Sequence, residues 1–212
     1  MKSHEPLVYV IDDDEAVRDS LSLLLVSVDL EHAVYVSADE FLRAYDPSRQ
    51  ACIVTDIRMP GTSGLDLQSF LAELGAEIPI IFITGHGDVP MAVKAMKAGA
   101  LDFLQKPFRD QDLIDRIHKA LEQDEARRAE LREEQLIRER LETLTPREEE
   151  VMQLVVGGSA NKVIAMDLGV SQRTVELHRA RVMHKLCMRS VAELVQAVGK
   201  LAKSKPRGPA QA

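Results

Sequence analysis

Three acidic residues in succession, Asp12, Asp13 and Asp14, close one apolar run near the start of the chain, and Asp56 closes another. Two further apolar runs end in Thr84, followed by Gly85, and in Lys106-Pro107. Carboxylates gathered within about 5 Å repel one another, so at least one must hold its proton more tightly or a divalent cation must sit among them. A small oxygen-lined site of that kind suits Mg²⁺ with several retained waters. With a hydroxyl from Thr84 and an ammonium from Lys106 beside the acids, the set has the equipment of phosphoryl transfer: an acidic nucleophile, a metal, a hydroxyl donor and a fixed cation. The other use of the triplet, capping a helix that starts near Glu15, accounts for Asp14 and leaves Asp56 unexplained.

These residues meet only if the runs that carry them are neighbouring strands. Short β-rich runs at Leu7 to Ile11, His32 to Val36, Ala51 to Thr55, Pro79 to Ile83 and Leu101 to Leu104 alternate with segments of helical period. Val17, Leu21, Leu24 and Val28 share one helical face, as do Val89, Ala92, Val93 and Met96, and Ser37 with Glu40 forms a capping-box signature. Alternating units with nearly continuous apolar strands predict an α/β domain: a doubly wound, five-stranded parallel sheet in the flavodoxin-like order 2-1-3-4-5. The first and third strands then flank the switch point, which brings Asp12, Asp13 and Asp56 to one rim.

The domain ends on a stretch with Leu113, Ile117 and Leu121 and runs into Glu122 to Glu142, where 13 of 21 residues are charged and neither Pro nor Gly occurs. This reads as one long, exposed helical linker, since Leu131, Leu136, Ile137, Leu141 and Leu144 do not sustain a heptad. Thr145-Pro146-Arg147-Glu148 opens an all-α module with a cap, a first-turn proline and a returning Glu. Gly157-Gly158 ends that helix, and three more follow: Asn161 to Leu168, Ser171 to Leu186 and about Ser190 to Lys200. The expected divisions are 1–121, a linker at 122–142, a four-helix module at 143–201 and a disordered tail at 202–212.

Charge follows the same divisions. The formal net charge of -7 resolves into -9 over residues 1–121, -3 over 122–142 and +5 over 143–212. A basic module on an acidic chain points to nucleic acid as its partner. On the helix from Ser171 to Leu186, Val175, Val182 and Leu186 fall on one side, and Arg173, Leu177, Ala180, Arg181 and His184 on the other. An apolar side chain among cations, turned from the core, suits a thymine methyl in a major groove whose phosphates engage the neighbours. Helix, short glycine turn, helix is the logic of a helix-turn-helix whose second helix reads the groove.

Ile11-Asp12-Asp13-Asp14, Thr55-Asp56-Ile57-Arg58-Met59-Pro60-Gly61, Thr84-Gly85-His86-Gly87-Asp88 and Lys106-Pro107-Phe108 resemble, in order and spacing, the CheY-like receiver domain of two-component response regulators. The resemblance covers roughly residues 6–122. It implies that Asp56 accepts a phosphoryl group from a sensor kinase's phosphohistidine. It also implies that Asp13, Asp56 and the backbone carbonyl of Arg58 hold Mg²⁺, with Asp12 acting through water. Thr84 and Lys106 would bind the phosphoryl oxygens, Phe103 would be the aromatic switch coupled to Thr84, and Val89, Met91, Lys94, Lys97, Ala98 and Asp102 would belong to a two-fold dimer surface. The run from Leu144-Thr145-Pro146-Arg147-Glu148 through Asn161-Lys162 and Val170-Ser171 to Thr174-Val175-Glu176-Leu177-His178-Arg179 and Leu186 resembles the LuxR-type, FixJ-type DNA-binding domain over residues 142–200. It implies Lys162 and Thr174 on phosphates and Glu176, Leu177 and Ala180 facing bases, with Arg173 and Arg181 beside them. Cys187 and Met188 depart from the small and polar residues more usual there.

Together these imply a cytoplasmic response regulator of the FixJ type whose partners are a sensor histidine kinase, double-stranded promoter DNA, a second copy of itself after phosphorylation, and RNA polymerase. A haloacid-dehalogenase-type phosphatase needs an Asp-x-Asp-x-Thr or Val motif, which Asp12, Asp14 and Ala16 break, and a turnover enzyme is not expected. A protein-binding adaptor whose helical module never touches DNA is separated from this reading by salt-dependent binding to duplex DNA. Two scattered cysteines and six scattered histidines offer neither disulfide framework nor transition-metal site. No long apolar run or apolar leader occurs, so neither secretion nor membrane spanning is expected.

Overall fold

The computed structural model of the protein describes residues 5–85 and 89–203. Residues 1–4, His86, Gly87, Asp88, the side chains of Val89 and Lys203, and the tail from 204 onward lie outside the described residues. The chain divides into two compact units after Arg128.

In the first unit, β1 (Leu7–Ile11), β2 (Glu31–Tyr35), β3 (Ala51–Asp56), β4 (Ile80–Thr84) and β5 (Asp102–Gln105) form one sheet in the order β2-β1-β3-β4-β5, every pair parallel. This is the predicted doubly wound topology. Helices α1 (Glu15–Ser27), α2 (Ala38–Ala44), α3 (Gly64–Glu73), α4 (Val89–Lys97) and the start of α5 (Asp110–Glu142) connect and cover the strands. Strand side chains alternate between two cores: Leu7, Tyr9 and Ile11 join Phe41, Leu67, Leu71 and Ala95 on one face, while Val8 and Val10 join Leu21, Leu25, Leu113 and Ile117 on the other. Burial on both faces is why β1 and β4 read as continuous apolar runs.

Three strands sit one residue from their expected places. Pro79 has no N–H for the ladder, so β4 starts at Ile80 and carries Thr84 as its last residue. The stripe expected to bury α4 is also turned: Ala95 is buried, Met91 is half-buried, and Val93 and Met96 are 47% and 46% exposed. On α1, Leu25 rather than Val28 completes the buried face. Ser37 caps α2 as expected, but the Glu40 carboxylate accepts from Val36 N–H instead of closing the box on Ser37.

The charged stretch expected to be a solvated linker is continuous helix, and it is not exposed throughout. Asp124 is fully buried, accepts a hydrogen bond from Ala51 N–H at 3.0 Å and pairs with Arg127 and Arg128, both at 2.6 Å. Two arginines compensate an acid that composition alone assigns to water.

In the second unit, α6 (Pro146–Val156), α7 (Asn161–Asp167), α8 (Gln172–Lys185) and α9 (Val191–Lys203) enclose Val151, Ile164, Val175, Val182, Leu186 and Leu194. Ile137 packs with Ala197 and Leu201. The capping box of α6 forms as read: Thr145 accepts from Glu148 N–H, and the Glu148 carboxylate accepts from Thr145 N–H. Cys187 takes a left-handed φ of 56°, and the turn closes through Cys187 N–H to His184 and Met188 N–H to Met183. The departure from small residues at 187 and 188 therefore preserves the helix stop, at about 1 kcal/mol of backbone strain.

Candidate functional site

Register decides what meets at the carboxyl rim of the sheet. Ile11 of β1 pairs with Thr55 of β3, so Asp12 and Asp56 come next on adjacent strands. Thr84 pairs with Gln105, and Lys106 N–H donates to the Thr84 carbonyl at 2.7 Å, which brings the Lys106 side chain to the same rim. Its ammonium lies 3.1 Å from Asp12 Oδ2 and 3.2 Å from Asp56 Oδ2. Each carboxylate keeps its other oxygen on backbone: Asp12 Oδ1 accepts from Asp14 N–H and Asp56 Oδ1 from Arg58 N–H, both at 2.9 Å. Thr84 is buried beside them, and Phe103 is half-buried on β5, opposite Phe82 of β4.

The structure brings two carboxylates onto the ammonium, not three. Asp14 caps α1, accepting from Ala16 N–H at 2.9 Å, and Asp13 is exposed at the rim. Among the described residues no three Asp, Glu, His or Cys side chains stand ready to hold a metal by themselves. Burial pushes the Asp12 carboxyl above its ordinary range, against the lowering effects of the Asp14 N–H and Lys106; repulsion from Asp56 contributes least. Desolvation alone would lower Lys106, but hydrogen bonds and charges from Asp12 and Asp56 outweigh it and raise the ammonium's pKa. The expected tension between the acids is thus a minor effect beside burial, which the Asp14 N–H and Lys106 both oppose. The donors at the rim are all oxygens, a set that fits a hard cation.

Two contributors to this site carry no sequence signal beyond their type. Arg18 of α1 reaches back to donate to the Asp12 carbonyl at 2.8 Å, holding the loop that presents Asp12 and Asp13. Gly64 opens α3 so close to β3 that an added Cβ would collide with the carbonyl oxygen of Asp56. A side chain at Gly64 would displace the loop after Asp56.

Of the residues expected on a dimer face, Lys94, Lys97 and Ala98 are exposed. Met91 instead packs toward the core, where the Arg58 guanidinium meets its sulfur at 3.8 Å, and Asp102 pairs with Arg116 at 2.9 Å. Val93 and Met96, read from sequence as core, stand exposed on that face with Ala92.

In the second unit α7 and α8 form the helix-turn-helix, joined across Gly169 at φ 64°. On α8, Val175 and Val182 are buried, while Arg173, Glu176, Leu177, Ala180 and Arg181 are exposed; Lys162 is exposed on α7. Leu177 keeps 51% of its surface in solvent. The Thr174 hydroxyl lies 2.8 Å from Ser171 Oγ, whose oxygen also caps the helix through Thr174 N–H. Arg179, off this face, pairs with Asn161 and ties α8 to the start of α7. The face presents cations around a half-exposed leucine.

Comparison with known proteins matches residues 8–118 to the response regulator receiver domain and residues 142–198 to the bacterial regulatory proteins of the luxR family. The chain is 48% identical over 194 residues to nodulation protein W of Bradyrhizobium diazoefficiens, covering 92% of this chain and 86% of that protein. It is 49% identical over 191 residues to the transcriptional regulatory protein FixJ of Azorhizobium caulinodans, covering 89% and 90%. Among solved structures, the response regulator StyR aligns with a TM-score of 0.82 at 44% identity, covering 93% of this chain and 100% of that one. No helix among the described residues is long and apolar enough to cross a membrane.

Proposed function

The chain belongs to the response regulators that join a receiver domain to a LuxR-type DNA-binding domain, and from that membership we propose that Asp56 is its phosphoacceptor and that phosphorylation there promotes dimerisation and promoter binding. Such a regulator is a transcription factor rather than a turnover enzyme, served by a histidine kinase and acting on DNA. The observation that carries the proposal is the Lys106 ammonium held between Asp12 and Asp56, beside the buried Thr84.

An Asp56 oxygen forms a bond to phosphorus as the bond from phosphorus to the kinase's histidine nitrogen breaks, and the electron pair stays on the departing imidazole. Asp56 Oδ1, held by Arg58 N–H, leaves Oδ2 as the attacking atom. Lys106, already within reach of Oδ2, neutralises the incoming phosphoryl oxygens, and the Thr84 hydroxyl moves to meet them. The space Thr84 leaves admits the Phe103 ring. Asp13, Asp56 and the Arg58 carbonyl would hold Mg²⁺, with Asp12 acting through water; when bound, the ion supplies neutralisation of the transferring group. Lys94, Lys97 and Ala98, with the exposed Val93 and Met96, form the surface for a second receiver. Lys162, Arg173, Thr174 and Arg181 serve phosphates, and Glu176, Leu177 and Ala180 face base edges. Dimerisation carries two modules onto one site, where linkage raises affinity beyond that of a single helix-turn-helix. RNA polymerase is the partner through which bound dimer alters transcription.

Intact-mass measurement after incubation with acetyl phosphate and Mg²⁺ tests the acceptor. One phosphoryl group per chain, absent from Asp56→Asn, with a shift to dimer by light scattering, is expected. Incorporation into Asp56→Asn at the wild-type level contradicts the assignment.

A further inference from the structure

Helix α7 has no side-chain cap. Ala160 stands at its N-cap position and offers nothing to the free N–H groups of the first turn, in contrast to Thr145 on α6 and Ser171 on α8. A neighbour holds this end instead: the Arg179 guanidinium, from the middle of α8, donates to Asn161 Oδ1 at the first residue of α7. The other end is held from α6, where Arg147 donates to the Leu168 carbonyl at 2.5 Å. Seven residues of helix are thus fastened at both ends by arginines of the helices before and after them.

The tie at Asn161 bears on the residue beside it. Lys162 follows at a Cα spacing of about 3.8 Å and is exposed, as are Arg173, Leu177, Ala180 and Arg181 on α8. Phosphate contacts fix the register of a recognition helix on a duplex only when the elements that make them are held relative to that helix. Arg179 lies off the outer face of α8, half-buried, and borders a small hollow of the core with Val155, Val182 and Met183. Its place suits a brace between the two helices better than a contact to DNA.

We propose that Arg179 is a positioning residue for DNA binding: by holding Asn161 it sets the start of α7 against α8, so that Lys162 and the outer face of α8 engage the same duplex together. The proposal rests on the reading of Lys162 as a phosphate contact.

A double-mutant cycle of Arg179→Met and Lys162→Ala in the full chain tests it, titrated by fluorescence anisotropy over a range of salt concentrations against a duplex that the wild-type chain selects from a random pool. Methionine keeps an unbranched apolar stem beside Val155 and Met183 and removes the guanidinium. Arg179→Met, shown folded by circular dichroism, should weaken binding about fivefold and reduce the salt-dependence slope by about one, because Lys162 loses its phosphate. The double variant should bind no more weakly than Arg179→Met, with the slope again lower by about one. Losses that add in the double variant, a slope lower by about two, or full affinity in Arg179→Met overturns the proposal while leaving Lys162 as a phosphate contact. If Lys162→Ala changes neither affinity nor slope in the wild-type background, the reading of Lys162 falls and the proposal falls with it. Should Arg179→Met fail to fold, Asn161→Ala, which removes the acceptor from a partly exposed position, takes its place in the same cycle.

Discussion

At the strand ends of the first unit, Lys106 divides its charge between two carboxylates 3.1 and 3.2 Å away, whereas Arg173 and Arg181 on the outer face of α8 stand exposed, with no ion pair to another described residue. The first arrangement is partly buried and pairs one ammonium with two carboxylates, one negative charge in excess. On the proposed reading, a phosphoryl group on Asp56 would exchange partners with Lys106. The second leaves its counter-charge to be supplied by a partner, as a surface that follows a phosphate backbone must. One chain thus keeps a rim whose charges pair with one another and a helix face whose arginines have no ion pair to another described residue.

The largest effect that could break this contrast falls on the ammonium. Lys106→Met leaves Asp12 and Asp56 facing each other without a cation and removes a fixed donor to the phosphoryl oxygens; phosphoryl incorporation from acetyl phosphate should slow by about a hundredfold. DNA binding by the unphosphorylated chain should not change. A loss of basal DNA binding would mean that Lys106 also acts on the DNA-binding unit.

Next is Glu148, a buried acid of the second unit whose pairing with a lysine lowers its pKa, where burial raises that of Asp12 in the receiver. Glu148 accepts from Lys185 at 2.6 Å and from Thr145 N–H at 2.9 Å, and the Lys185 hydrogen bond, followed by that N–H, holds its carboxyl at about 2 instead of the ordinary 4.5. A lowered folded-state value gives stabilisation that is complete above the unfolded value and is lost as pH falls from about 4.5 toward about 2. Glu148→Gln should cost about 3 kcal/mol of stability, seen in denaturant unfolding, and should flatten that acid limb. The receiver's unfolding should be untouched.

Smaller effects sharpen the reader. Leu177→Ala should weaken specific binding about tenfold in a gel-shift titration while leaving nonspecific binding alone, because a methyl contact carries sequence information and no charge. Lys162→Ala should weaken binding a few-fold for every sequence and reduce the salt-dependence slope by about one. If Leu177→Ala also changed the slope, the division between base-facing and phosphate-facing residues on this face would fail.

Much of this was legible in the residues because it rests on periodicity and order. Strand alternation gave the topology, and topology with register brought Asp12, Asp56, Thr84 and Lys106 together. Thr145, Pro146 and Glu148 announced their helix because capping is local chemistry. What escaped depends on contacts distant in sequence. Asp124 looks like one acid in a charged run until Ala51, Arg127 and Arg128 surround it. Asp14, by contrast, was legible as a cap, and its side chain accepts from Ala16 N–H as that reading requires. Val93 and Met96 carry the helical period of a core face, yet the small Ala95 is what the neighbouring α3 admits, through Gln68 on its carbonyl. Gly64 gives no sign that it presses on Asp56, because a missing side chain leaves no pattern.

On the proposed reading, a phosphoryl group on Asp56 raises DNA affinity through the receiver. Binding of the full chain and of Asp56→Asn to a promoter fragment, each with and without acetyl phosphate and Mg²⁺, tests it most directly. The wild-type chain should gain affinity and bind as a dimer only when phosphorylated, with Asp56→Asn held at the basal level. Equal affinity of Asp56→Asn and the phosphorylated wild-type chain would contradict the account.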